Sequence, residues 1–217
     1  MGVRVRRLAR VLAALAVLNV MVPDSSAYAY SGTSAASWAD QHWNSQDLVH
    51  YGNDCATFVS NSMYHGGRYS FVGYNRSLTD DHNWYYKARY PSAFENTRSW
   101  SVVVDQWNFL LYTYPGGVPK GSSTGNTTNP WTPNAMMSGD VLFYDWDSNG
   151  VKDHESIQVA MGTDPNSGYY GNLIDAHTTN RYHAIWTLKP WNSKYASTTI
   201  YFMHVDPANT GSSELTV

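Results

Sequence analysis

The sequence holds 217 residues with a formal net charge of −3, and only 14% of them are charged while 15% are aromatic. No basic run follows the first ten residues, which argues against nucleic acid as a partner. The single cysteine, Cys55, leaves no internal disulfide to stabilise the fold.

Residues 1–29 open with Arg4, Arg6, Arg7 and Arg10, continue through a short apolar run at 11–22, and end in Ala27-Tyr28-Ala29. A basic start, a short apolar middle and an A-x-A end describe a secretory signal peptide. The run is too short for a permanent span. Residues 30–217 are then expected to form one exported, extracellular domain, monomeric and without stable membrane association. The Arg6-Arg7 pair does not by itself decide between the general and the twin-arginine export route.

Residues 34–48 are predicted as a helix capped by Ser34, with Trp38 and Trp43 on its apolar side. A second helix is predicted over 54–64, stopped by Gly66-Gly67. The stretch 68–98 is aromatic and poorly periodic. A third helix is predicted over 99–112, with Trp100, Val103, Trp107 and Leu110 on one face. Residues 115–134 read as a loop. Its Gly121-Ser-Ser-Thr-Gly125 matches G-x-S-x-G by accident, because no strand precedes it and no helix follows. Strands are predicted over 141–146, 156–161, 172–177, 183–188 and 198–205. Helices first and an antiparallel sheet second make an α+β domain.

Cys55 falls at a helix start, where unpaired N–H groups and the helix dipole favour a thiolate and can hold an oxyanion. A thiol nucleophile needs a proton acceptor. His154 opens one strand and His177 closes the next. In a hairpin turning near Asn166 the two histidines fall roughly opposite each other, so His177 is expected to orient His154. Asp175, two residues earlier on the same face, is the alternative third member.

At these residues the chain resembles the putative amidase domain family, which belongs to the papain-like group with the NlpC-type and CHAP hydrolases. The resemblance rests on Asp54-Cys55-Ala-Thr-Phe58-Val59, Gly139-Asp140-Val141, Asp153-His154 and Ala176-His177-Thr178. It covers about residues 34–205. It implies a papain-like fold, with Cys55 on a helix packed against an antiparallel sheet that bears His154 and His177. It also implies hydrolysis of an amide by a Cys-His-polar triad through a thioester, with the Cys55 backbone as oxyanion donor and peptide or cell-wall peptidoglycan as substrate. No cofactor is called for.

Two other readings are weighed. Asp145-Trp-Asp147-Ser-Asn149-Gly150 through Asp153 has calcium-loop spacing, but Ser156 stands where a bidentate Glu belongs, so an ordinary hairpin turn is favoured. His154-Glu155 begins an H-E-x-x-H pattern that fails at Gln158, so a zinc peptidase is set aside. The competing functional class is a non-catalytic, exported glycan- or peptide-binding domain with an aromatic-rich surface.

Overall fold

The computed structural model describes residues 29–45, 52–89, 93–113 and 116–206. The expected signal segment lies outside them except for Ala29, as do residues 46–48 of the first expected helix. Among the described residues no helix is long and apolar enough to cross a membrane.

The first helix, α1 (Gly32–His42), begins earlier than expected because Ser31 caps it rather than Ser34. The Ser31 hydroxyl accepts the N–H of Ser34 at 3.3 Å, which satisfies one orphan donor of the first turn. Its buried face is made of Ala35, Ala36 and Ala39, and Trp38 is half-buried and stacks on His42 at 3.8 Å. The helix start crosses Gly139 closely. A Cβ on Gly139 would stand 2.2 Å from the Cα of Gly32, and its φ of +91° is one that side chains rarely adopt. Tyr30 donates its hydroxyl to the Gly139 carbonyl at 2.6 Å.

The second helix, α2 (Cys55–Asn61), is buried along its whole length. A π-helical turn over Ser62–Gly66 prolongs it to Gly67. Its Ser60 hydroxyl donates to the Trp100 carbonyl at 2.9 Å and accepts from Trp84 Nε1 at 3.1 Å, which pairs these two buried polar groups. The ill-defined stretch contributes a small antiparallel pair, β1 (Tyr86–Arg89) with β2 (Ala93–Asn96). The expected third helix is two helices, α3 (Arg98–Ser101) and α4 (Val103–Tyr112). Val102 between them is extended, at φ −126° and ψ 120°. It opens a run of three valines, residues whose branched side chains lower helix propensity.

The remaining chain forms one six-stranded antiparallel sheet in the order β3-β8-β4-β5-β6-β7. Three of its strands fall where expected, β4 (Val141–Asp145), β6 (Tyr170–Ala176) and β8 (Thr199–Val205), while β7 (Arg181–Ile185) starts two residues before the expected 183–188 and ends three residues short of it. β5 (His154–Thr163) is longer than expected at both ends. β3 (Gly117–Thr124) lies in the segment expected to be a loop. It carries Pro119 and a register shift between Pro119 and Ser122, features that suit only an edge strand. The G-x-S-x-G match spans the end of this strand and its following turn, so no strand-to-helix elbow is formed.

The sheet separates two apolar layers. Val141, Phe143, Ile157, Val159, Leu173 and Met203 face the helices and meet Phe58, Val59, Met63, Trp84, Trp100 and Phe109. Leu142, Tyr144, Ile174, Ile185, Trp186 and Phe202 form the layer on the other face. Each large side chain so buried contributes about 1.5–3 kcal/mol. The architecture is α+β, with few helices and a helix-covered antiparallel sheet.

Candidate active site

The helix α2 begins where it does because its first donors are taken by another part of the chain. Asp54 is the N-cap residue, yet its carboxylate does not cap its own helix. The cap comes from Thr178, just past β6. The Thr178 hydroxyl accepts the N–H groups of Asp54 and Cys55 at 3.1 and 3.2 Å. In return Asp54 Oδ1 accepts the N–H of Thr178 at 2.9 Å. Thr178 has a φ of +75°, a genuine outlier for a β-branched residue. Such strain costs of order 1–3 kcal/mol and gathers at functional sites.

His177 completes the clamp. Its Nδ1 lies 2.9 Å from Asp54 Oδ2 and its Nε2 lies 2.9 Å from the carbonyl of His42. The ring is thus held from both of its nitrogens. The ring stacks on Phe58 of α2 at 4.0 Å. His177 thus ties together the end of α1, the start of α2 and the end of β6.

Cys55 is 5% exposed. Its sulfur lies against the backbone N–H of Glu155 and the Thr178 hydroxyl, which places it at the opening of β5. The expected ionised sulfur is not what results. Burial, and after it the Glu155 carboxylate, push the thiol up to about 11, against the weaker pull of those two donors and the Ala56 N–H. The helix start does not compensate, because burial in a low dielectric disfavours the charged form and the helix-start N–H of Cys55 already serves Thr178.

His154, the first residue of β5, is half-buried. Its ring lies 5.5 Å from that of Trp146, nearly parallel, and 5.6 Å from that of Tyr144. Depth in this aromatic wall, followed by the charge of Arg181, pushes the imidazole down to about 4, with Asp54 acting the other way. The ring is therefore neutral at ordinary pH and able to accept a proton. It lines a cavity of about 240 Å³ together with Trp146, Thr178, Arg181 and Trp191. Arg181 sits over the Trp191 ring at 4.8 Å, and its guanidinium makes no ion pair among the described residues. Thr178 belongs both to this cavity and to the immediate surroundings of the Cys55 sulfur.

The expected partners of His154 are engaged elsewhere. The β5–β6 hairpin does turn near Asn166, but its register pairs Ile157 with Asp175. Continued, that register sets Thr178 opposite His154, and His177 opposite Glu155. A bulge between Gln158 and Ala160 sets this offset. His177 and Asp175 consequently lie on the helix-covered face, while the His154 ring belongs to the other. Asp175 accepts the N–H of His183 at 2.7 Å. Neither side chain hydrogen-bonds the His154 ring among the described residues.

Glu155 is a buried acid beside the site that sequence reasoning passed over. It is fully buried, and burial raises its pKa well above the usual carboxylate range. With its amide nitrogen turned toward the acid, Gln106 donates to Oε1 at 2.8 Å and to the Ala56 carbonyl at 3.2 Å. Oε2 has no partner among the described residues. The signal was available: Glu155, Ile157 and Val159 alternate on one face, so the acid had to face the core with them. Asp54 and Thr178 stand in the family motifs, and Asp54 reads as a residue that shapes the helix start, but their contact with each other spans more than a hundred residues and leaves no local signal.

The loop at 145–153 satisfies itself as a turn. Asp145 accepts the N–H groups of Asn149 and Gly150 at 3.0 and 2.8 Å, and Asp153 accepts that of Trp146 at 2.9 Å. Carboxylates of Asp145, Asp147 and Asp153 do cluster within 4.8 Å, but the first and last of them already hold the loop.

A family model described as Putative amidase domain matches residues 29–202. The chain belongs to that family. The family description points to amide hydrolysis by a hydrolase acting on C–N bonds. No curated protein and no solved structure matches the chain. The matched span of this amidase-family domain takes in Cys55, His154, Thr178 and every wall of the cavity. Several residues of its motifs have structural work to do. Gly139 permits the crossing by α1, and Asp140 accepts from the Val205 N–H at 3.1 Å and meets His204 Nδ1 at 3.0 Å.

Proposed function

We propose that this chain is an exported cysteine amidase or peptidase of the papain-like kind, cutting an amide bond in peptides of cell-wall peptidoglycan. The observation that carries the reading is the position of the Cys55 sulfur, at the first peptide of β5 and beside Thr178, which also walls the cavity where the His154 ring is found.

The resting pair is a neutral thiol and a neutral imidazole. The Cys55 sulfur is on the helix-covered side and does not line the His154 cavity. His154 therefore takes the thiol proton after its ring turns past Thr178 or through one water, and charge develops only as the sulfur attacks the carbonyl carbon. The carbonyl oxygen becomes an oxyanion, which the Cys55 N–H stabilises when the substrate oxygen replaces the Thr178 hydroxyl. The protonated His154 then gives its proton to the leaving amine, and the C–N bond breaks. Water, activated by the same ring, cleaves the thioester and restores the thiol. The third role passes from orienting His154 to holding the nucleophile: His177 acts through Asp54 on the start of α2, and Asp175 has no part in the chemistry. Arg181, at the cavity wall with Trp146 and Trp191, suits a carboxylate on the substrate, as stem peptides carry.

Digestion of purified peptidoglycan by the intact protein and by Cys55→Ser, read by mass spectrometry, tests the reading. New amine and carboxyl ends should appear only with the intact protein. Equal fragment patterns, or none, would sink it. The burial of Cys55 favours a second reading, a non-catalytic glycan- or peptide-binding domain. On that reading wall fragments bind both proteins equally and are recovered uncut.

A further inference from the structure

A second cluster of chemistry-bearing side chains lies on the helix-covered face, away from the His154 cavity. Asp40 comes from α1, Asp175 from β6 and His183 from β7. One ligand atom of each lies within 4.8 Å of the others. His183 Nε2 is 2.9 Å from Asp40 Oδ1, and the His183 N–H donates to Asp175 Oδ1 at 2.7 Å. His183 holds a φ of +48°, so one residue offers its backbone to one acid and its ring to the other.

Asp175 is fully buried, and its Oδ2 has no hydrogen-bond partner among the described residues. A buried carboxylate oxygen without a donor is costly. The Asp40 carboxyl beside it adds like-charge repulsion, and burial together with that neighbour pushes Asp175 up to about 8, so the pair is relieved either by sharing a proton or by taking up a cation. His183 relieves it in part, through Asp40 alone. What is left is an unpaired oxygen among two further acidic or imidazole donors.

We propose that Asp40, Asp175 and His183 bind a divalent transition-metal ion of the Zn2+ or Mn2+ class, fastening α1 to the β6–β7 end of the sheet. Two carboxylates and one imidazole form a mixed O,O,N donor set. That set suits such ions better than calcium, which takes oxygen ligands. Asp40 and His183 are partly exposed, with side chains 36% and 23% accessible. Water can therefore fill the remaining coordination positions. The ion would be structural. It would sit on the same two elements that His177 bridges, α1 and the end of β6, and would stiffen the platform on which the Asp54 clamp rests.

The test uses the purified chain after chelator treatment, titrated with Zn2+ and with Mn2+, with metal content and thermal unfolding both measured. One ion per chain and a rise in Tm of about 5 °C or more at saturating metal are expected. Asp40→Asn and His183→Ala should abolish both effects, while Asp147→Ala in the exposed 145–153 loop should leave them unchanged. No uptake by the intact chain would overturn the proposal and leave a shared proton between the two acids. Undiminished uptake by Asp40→Asn and His183→Ala would overturn it too, by placing the ion elsewhere. Both positions are half-exposed, so these variants are expected to fold, and circular dichroism of each confirms it before the titration is read.

Discussion

The carboxylate of Asp54 and the ring of His177 meet at 2.9 Å across 123 residues of chain. The same carboxylate takes the backbone N–H of Thr178 at 2.9 Å. One acid therefore fixes the end of β6 against the start of α2. Removing it as Asp54→Ala leaves the His177 ring and the Thr178 N–H without their acceptor. The loss is expected to be about 2 kcal/mol, or about 4–8 °C in Tm for a chain of this size. Thermal unfolding measures it, and an unchanged Tm would remove the clamp from the account.

In the proposed mechanism, Cys55 and His154 set the pH range of the chemistry. The imidazole is pushed down to about 4 and the thiol up to about 11. The free enzyme therefore holds its working protonation states between those limits. The acid limb of kcat/KM is expected near pH 4, not near the 6.5 of an ordinary histidine. Alkylation of Cys55 by iodoacetamide should be slower than that of a free thiol at pH 7 and climb toward pH 11. A plateau in alkylation rate already at neutral pH would show a preformed thiolate and contradict this burial argument.

Both groups also couple folding to pH. His154 has a depressed folded-state pKa, so its contribution is whole above 6.5 and is lost as pH falls through about 4. Cys55 has a raised one, so its contribution is whole below its ordinary 9.0 and is lost as pH rises through about 11. Urea midpoints across the range should fall at both ends. His154→Gln should flatten the acid side.

Glu155 folds as the protonated acid, because burial raises its pKa. Its stabilising state is the one found below its ordinary value of 4.5, and stability drains away as pH rises above that. Glu155→Gln supplies the same shape with no proton to lose. The variant is expected to match the parent near pH 4 within about 1 kcal/mol and to exceed it by a growing margin toward pH 8. A margin that shrinks with pH would mean that Glu155 is folded in as a stabilised anion.

Thr178 acts through its hydroxyl. Thr178→Ser keeps that group while removing the branched methyl from a left-handed backbone, so stability should hold or improve. Thr178→Ala removes the cap of α2 and should cost about 1 kcal/mol. It should also lower activity on peptidoglycan by more than the loss of folded protein explains. Comparing the two variants by Tm and by turnover separates the cap from the strain.

Much of the fold was legible because periodicity carries it. The helix over Cys55, the strands at Val141, Ile174 and Ile200, and the α+β order all follow from apolar spacing. What escaped has physical reasons. β3 reads as a loop because Pro119 and its small polar neighbours are depleted in strands. Its partner β8 supplies what local propensity does not. The single helix expected over 99–112 breaks at Val102 because a run of β-branched residues tolerates the extended backbone there. At the candidate site, the sequence placed Cys55 at a helix start and His154 at a strand start, and both positions are found there. The partners of His154 were misjudged because hairpin register, set by one bulge, decides which face each residue takes. The thiol's burial was invisible for a different reason: it depends on β5 and Thr178 closing over the helix tip.

That bulge constrains how the chain can change length. Were Val159 taken into the ladder instead of bulged out, the pairing of Ala160 with Leu173 would run on unbroken. It would bring Thr178 opposite Glu155 and His177 opposite Ser156. The clamp around Asp54 would then hang from the wrong side of the strand. Deleting a paired residue of 155–158 should therefore move His154 from Thr178 to His177 and abolish the site even where every named side chain survives. Deleting Val159 leaves Gln158 on Ile174 and Ala160 on Leu173 and should keep the register, and insertions in the turn at 164–169 should be harmless. The register that sets Thr178 opposite His154 is thus as much a part of the candidate site as the two residues themselves.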